Sequence, residues 1–180
     1  MEIVDTGIAG LLLIKPKVFG DTRGYFMESY QVKRYQEAGI ATPFVQDNIS
    51  RSQKGVLRGL HFQTQCAQDK LVMVSRGQVF DVAVDLRPGS PTFGRSYGVI
   101  LNDQNHWQLF VPKGFAHGFY VMEDQTDFCY KCSDYYDPQF ETGILWSDPD
   151  LQIDWPLFPD LTPIVSPKDQ VLPKLKDLHI

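Results

Sequence analysis

The clearest hydrophobic rhythm lies in the middle of the chain. Phe80, Val82, Val84 and Leu86 share one face of an alternating run, with Gln78, Asp81, Ala83 and Asp85 mostly on or near the other. That period of two predicts a half-buried strand. Apolar or alternating runs predict further strands at 11–14, 24–30, 44–50, 71–75, 97–101, 107–111, 115–121, 126–136 and 144–146. Strand geometry would put Phe26 with Glu28 on one face, and Gln46 with Asn48 opposite Val45 and Ile49. Turns are expected at 19–24, 76–77, 102–103, 112–114 and 123–125, with a loop at 87–91. Helix-forming composition at 31–38, closed by Gly39, predicts one short helix.

Beyond Asp148 the pattern changes. Pro149, Pro156, Pro159, Pro163, Pro167 and Pro173 rule out long elements, while Trp155, Leu157 and Phe158 predict a tail that packs on something. Many short strands joined by glycine and proline turns predict an all-β sandwich or barrel, jelly rolls included. We expect one domain, with a core over about 45–147, a strand-rich arm over 1–44 and a tail over 148–180.

Composition narrows the partners. The chain's 180 residues can bury a sizeable core. A net charge of -5 argues against nucleic acid, leaving room for a local basic patch that holds one small phosphorylated ligand. There is no run of about 18 apolar residues and no charged-then-apolar leader at Met1, which predicts a soluble, cytoplasmic protein without a membrane partner. Cys66, Cys129 and Cys132 are too few for a disulfide scaffold. Cys129 and Cys132 form a CxxC, but on a strand positions three apart face opposite sides. No second pair exists, so both read as packing residues.

Candidate chemistry concentrates where a strand broken by Gly55 and Gly59 carries Arg58, His61 and Gln63, with Lys70 soon after. Histidine moves protons near neutral pH. Arginine and lysine hold an anion or stabilise developing negative charge. His61 alone reads as a satisfied strand histidine; the three together read as a site. Pro112-Lys113-Gly114-Phe115-Ala116-His117 fits the PxGxxH of the second cupin motif, in which the histidine is often a metal ligand. The first cupin motif would read HxH, then glutamate, then glycine; this chain has His61-Phe62-Gln63, Lys70 and Gly77. A divalent ion there would lose two ligands and meet a positive charge. The chain thus resembles a cupin whose metal site has been replaced, and His117 fits a core histidine as well as a ligand.

Five segments carry a closer resemblance: Asp21-Thr22-Arg23-Gly24-Tyr25-Phe26, Gln46-Asp47-Asn48-Ile49-Ser50, Gly55-Val56-Leu57-Arg58-Gly59-Leu60-His61-Phe62-Gln63, Pro112-Lys113-Gly114-Phe115-Ala116-His117-Gly118-Phe119 and Tyr130-Lys131-Cys132-Ser133-Asp134-Tyr135-Tyr136. In order and over nearly the whole chain, they resemble the motifs of the dTDP-4-dehydrorhamnose 3,5-epimerase family. The Gln65-Cys66-Ala67-Gln68-Asp69 run departs from the family's usual wording. The resemblance implies a cupin-type jelly roll, a homodimer, and no metal or other cofactor. It implies that His61 removes a proton beside the sugar ketone, Asp169 raises its basicity, Tyr130 returns a proton to the opposite face, and Lys70 stabilises the enolate. Arg23, Arg58 and Lys168 would hold the nucleotide diphosphate. Phe26, Glu28, Gln46, Asn48, His117 and Glu141 would line the nucleotide and sugar sites, and Tyr136 would stack on thymine.

The chemistry is self-consistent. Epimerisation beside a ketone needs a base on one face and an acid on the other, with pKa values suited to each. The residues also have plainer readings. Tyr130, Tyr135 and Tyr136 could be sheet-face aromatics and Glu28 and Glu141 solvated charges; spacing alone does not tie Asp169 to His61. His106 and His179 read as surface residues. The rivals are inversion at one centre only, a metal-dependent cupin enzyme, and a non-catalytic sugar-binding jelly roll. The exposed strand edge of the arm independently argues for a dimer.

Overall fold

The computed structural model describes residues 1–178; His179 lies outside the described residues. Its strands are β1 (Glu2–Asp5), β2 (Leu12–Lys15), β3 (Val18–Asp21), β4 (Gly24–Met27), β5 (Gln46–Ser52), β6 (Val56–Gln63) and β7 (Lys70–Arg76). They continue with β8 (Gln78–Asp85), β9 (Ser96–Asn102), β10 (Gln108–Val111), β11 (Phe115–Val121), β12 (Thr126–Cys132), β13 (Glu141–Gly143) and β14 (Ile164–Val165). Two short helices, α1 (Val32–Glu37) and α2 (Pro167–Gln170), complete the all-β architecture. No helix is long and apolar enough to cross a membrane.

The strands form two antiparallel sheets, in the orders β1-β2-β10-β7-β12-β5 and β13-β6-β11-β8-β9, with β14 added parallel to β6. Side chains alternate across each strand, so each sheet has an inner and an outer face. The inner faces meet in a core that includes Leu13, Val72, Val74 and Phe128 from the first sheet and Val79, Leu101, Phe119 and Val121 from the second. The arm's first two strands sit in the first sheet, whereas β3 and β4 make a separate hairpin.

Both outer faces are covered in part. Leu71 and Phe110 pack under Tyr35 of α1 and Ile40. The Gln31 side chain caps this helix by accepting from the Arg34 N–H at 2.7 Å, and Gly39 closes it at φ +90°. Burial pushes the Tyr35 hydroxyl up to about 12, and it donates to Gln108 Oε1 at 2.6 Å. The proline-rich tail covers the second sheet: Trp155 packs edge-on against Phe80 and donates its indole N–H to the Trp146 carbonyl.

This coverage explains where the sequence reading fails. The apolar face of β8, with Phe80, Val82 and Val84, packs under the tail, so its other face, with Asp81, turns into the interior between the sheets. The strand is buried on both sides instead of half-buried. β12 ends at Cys132, ahead of the expected 136, and the last predicted strand lies at Glu141–Gly143, ahead of 144–146. The turn expected at 19–24 narrows to Thr22 and Arg23 inside the β3–β4 hairpin. His106 is buried, with its ring 4.4 Å from that of Tyr25 on the hairpin.

Candidate active site

The inner faces do not fill their whole interior with apolar side chains. A cavity of about 770 Å³ opens where Phe119 and Phe128, stacked 4.0 Å apart, end the core. That volume suits a ligand larger than a simple sugar.

Strand parity delivers much of the lining. On β12, Phe128, Tyr130 and Cys132 face inward while Asp127, Cys129 and Lys131 face out. The two cysteines thus point to opposite sides as expected, but Cys132 lines the cavity as well as packing. On β5 the polar residues Gln46, Asn48 and Ser50 line the cavity, whereas Val45 and Ile49 are 47% and 75% exposed. This inversion of the usual inside–outside rule marks a wall built to meet a polar ligand.

Arg58 and His61 are three residues apart and would face opposite sides of a regular strand. Both nevertheless line the cavity. The pairing of β6 with β11 supplies the reason: His117 pairs with His61 and Phe119 with Arg58, so two steps on β11 face three on β6. This bulge flips the parity. It needs Gly59 at φ +106°, because a Cβ there would lie 2.7 Å from Gly118 Cα and from the His117 carbonyl.

The bulge also anchors the tail. Asp169, 3% exposed, accepts the Gly59 N–H at 3.2 Å through Oδ2 and meets His61 Nε2 at 2.7 Å through Oδ1. Ser166 caps α2 by accepting from the Asp169 N–H. Burial pushes the Asp169 carboxyl up, but the hydrogen bond and charge of His61, with the Gly59 and Ser166 donors, hold it below its ordinary value. A second imidazole faces the cavity: His117 Nε2 lies 3.0 Å from both oxygens of the fully buried Asp81. Sequence reasoning missed Asp81; its available signal was a charged residue inside an otherwise apolar strand.

Lys70 and Tyr130 enter from the first sheet, opposite His61 and Arg58 of the second. Among the described residues no carboxylate forms an ion pair with the Lys70 ammonium. Burial lowers its pKa, against a weaker upward pull from Cys132, Glu141 and Asp81. Burial raises the Tyr130 phenol, keeping it protonated near neutral pH. At the mouth, Glu141 binds Lys168 and accepts the Tyr136 hydroxyl at 3.1 Å. Arg58 donates to Ser52 Oγ from two nitrogens.

The fold therefore gathers His61, Lys70, Tyr130 and Asp169 with Gln46, Asn48, Arg58, His117, Tyr136, Glu141 and Lys168 around one cavity. Arg23, Phe26 and Glu28 lie outside this chain's own cavity. Arg23 pairs with Asp21 and is 88% exposed at its side chain, Phe26 is 66% exposed, and Glu28 pairs with Arg34. The hairpin that carries Arg23 and Phe26 is exposed along both strands.

The donor set does not suit a divalent ion. Two imidazoles line the cavity, but Lys70 brings a cation to the same space, where it would repel a metal ion. Among the described residues, no three His, Cys, Asp or Glu side chains are grouped to hold a metal.

Residues 5–177 match the family model described as dTDP-4-dehydrorhamnose 3,5-epimerase. A dTDP-4-dehydrorhamnose 3,5-epimerase of Neisseria gonorrhoeae is 52% identical over 169 residues, 94% of this chain; the chain spans about half (51%) of that relative's length. The enzyme of the same name from Escherichia coli K12 is 50% identical over 99% of this chain and 96% of its own length. The structure of dTDP-6-deoxy-D-glucose-3,5-epimerase from Legionella pneumophila, in complex with dTDP-4-keto-L-rhamnose, matches with a TM-score of 0.95 and 56% identity, covering 99% of this chain and 94% of that one.

Proposed function

The chain belongs to the dTDP-4-dehydrorhamnose 3,5-epimerase family, which has a cupin-type fold, and from that premise we propose that it is an isomerase. It inverts C3 and C5 of dTDP-4-dehydro-6-deoxy-D-glucose to give dTDP-4-dehydro-L-rhamnose, a step towards dTDP-L-rhamnose. The observation that supports this best is that His61 and Tyr130 reach one cavity from opposite sheets.

In this reading His61 takes the proton from the carbon beside the C4 ketone. Asp169 holds one imidazole nitrogen, which leaves the other to act as base and stabilises the imidazolium that forms. Negative charge gathers on the ketone oxygen, and the Lys70 ammonium stabilises that enolate in a poorly hydrated site. Tyr130, kept protonated by burial, returns a proton to the opposite face. No electron leaves the sugar, so the reaction needs no redox partner. Arg58 and Lys168 hold the diphosphate, Gln46, Asn48, His117 and Glu141 line the nucleotide and sugar, and Tyr136 at the mouth stacks on thymine.

The same reading assigns a role to the residues outside the cavity. The exposed β3–β4 hairpin pairs with a second copy of the chain and carries Arg23, Phe26 and Glu28 to that copy's site, so the working unit is a homodimer. Its exposed Phe19, Tyr25 and Phe26 supply the apolar surface for that contact.

Proton NMR of the nucleotide sugar in deuterated water tests the proposal. Deuterium should enter at both C3 and C5. Entry at one carbon alone would mean inversion at a single centre, and binding without any exchange would mean a sugar-binding module. Sedimentation showing only a monomer at micromolar concentration would remove the dimer.

A further inference from the structure

The cavity holds two lysines whose surroundings are opposite. Lys168 forms an ion pair with Glu141, and that partner raises its pKa. Lys70 has no carboxylate partner among the described residues, and burial lowers its pKa, with Cys132, Glu141 and Asp81 pulling weakly the other way. Outside the cavity, Lys15 pairs with Glu2 and Lys131 with Asp47. An amine attacks a carbonyl only when neutral, and a desolvated lysine is neutral more of the time than a paired or hydrated one.

Geometry adds a second requirement. Lys70 starts β7, with its Cα paired to those of Cys132 and Val111, and its side chain lines the cavity. The same cavity carries the guanidinium of Arg58, which among the described residues pairs with no carboxylate, while the lining carboxylates Glu141 and Asp169 are engaged by Lys168 and His61. An anion is drawn into such a space before any bond forms.

We propose that Lys70 is a selective imine-forming amine, and that the compounds it captures are aldehydes carrying a phosphate. The neutral Lys70 nitrogen attacks the aldehyde carbon to give a carbinolamine. The nitrogen gives up both hydrogens, the former carbonyl oxygen leaves as water, and a C=N bond remains. No electrons are exchanged, so capture is reversible. Borohydride then fixes it: hydride adds to the imine carbon, solvent supplies the proton on nitrogen, and a secondary amine results. Such capture removes the free ammonium from the cavity, so phosphorylated aldehydes act as inhibitors of this protein. The inference rests on the cavity and its charges, and labelling can fail while deuterium exchange succeeds, or the reverse.

Pyridoxal 5′-phosphate, followed by borohydride and peptide mass mapping of the full chain, tests this directly. Label should form faster at Lys70 than at Lys168, which Glu141 pairs, or at the exposed Lys33. 5′-Deoxypyridoxal, which like the phosphate cannot close on its own aldehyde, should label Lys70 more slowly relative to the exposed Lys33 than the phosphate does, because steering is lost. Thymidine diphosphate should protect Lys70 and leave Lys33 labelling unchanged. Label confined to Met1 and the solvated lysines would overturn the proposal. A Lys70-to-Lys33 labelling ratio that is the same with 5′-deoxypyridoxal and with pyridoxal 5′-phosphate would overturn the anionic preference.

Discussion

Two imidazole–carboxylate pairs share this cavity, yet they are built differently. Asp169 reaches His61 from a tail 108 residues away in sequence, and its second oxygen takes the backbone N–H of a bulge. Asp81 reaches His117 from the neighbouring strand of the same sheet and turns both oxygens to it. His61 keeps 27% of its side chain exposed to the cavity, whereas His117 keeps 7% and Asp81 none. The first pair holds its imidazole in position with a face open to a ligand, as the proposed base requires. The second is part of the wall. A histidine beside a carboxylate is thus no sufficient sign of a catalytic base; what distinguishes the two is which one retains access.

The largest expected effect breaks the first pair. His61→Ala should lower deuterium exchange at both carbons by about 10²–10⁴-fold, the usual range for an acid–base group in a site that keeps its other stabilising parts. Asp169→Asn should lower it by about 10²–10⁴-fold: the amide has one accepting oxygen for two donors, so with that oxygen on the Gly59 N–H its NH2 faces His61 Nε2, which moves the ring proton to the other nitrogen and removes the free lone pair of the base. Exchange near the wild-type rate in His61→Ala would mean that the base is elsewhere.

The matching change in the second pair should act on stability instead. Asp81→Asn leaves a buried imidazole with a weaker partner and should cost about 1–3 kcal/mol. For a chain of this size that lowers Tm by about 2–4 °C per kcal/mol. At saturating substrate, exchange should stay within about threefold of wild type, since Asp81 reaches the cavity only through His117. Slowing as large as that of Asp169→Asn would erase the distinction between the pairs.

The same contrast separates what the sequence made legible from what it hid. The alternation of β8, the capped helix α1 and the CxxC geometry follow from local rules and were readable. The polarity of β8 was not, because choosing which face turns inward required knowing that the tail would cover Phe80 and Val82. Asp81 was overlooked for that reason: on a half-buried strand it would have been a solvated charge. His106 was misread as exposed because the hairpin that covers it belongs to a distant part of the chain. The contact between Asp169 and His61 came only from family resemblance. In physical terms it depends on a bulge, and the bulge was announced by nothing more than Gly59 inside an apolar run. Arg23, Phe26 and Glu28 show the opposite limit, since family resemblance implied a site role without saying which chain's cavity they would serve, and they lie outside this chain's own.

The smallest expected effect is the pH dependence of the Asp169 clamp. Its carboxyl titrates below the ordinary value of about 3.9 because His61, Gly59 and Ser166 favour the charged form over the burial that opposes it. As pH falls, the unfolded chain binds its proton first, so stability drops with falling pH. The clamp's contribution is fully present above about pH 5, declines from about pH 4, and vanishes once the pH passes the folded value. Asp169→Asn has no such proton to bind. The stability difference between the two proteins in urea should therefore shrink as the buffer is taken from about pH 5 into stronger acid. A difference that stayed flat into strong acid would show that the carboxylate is not stabilised where it sits. In that case the tail would be held on β6 by the β14 pairing and the packing of Trp155, and Asp169 would follow the tail without securing it.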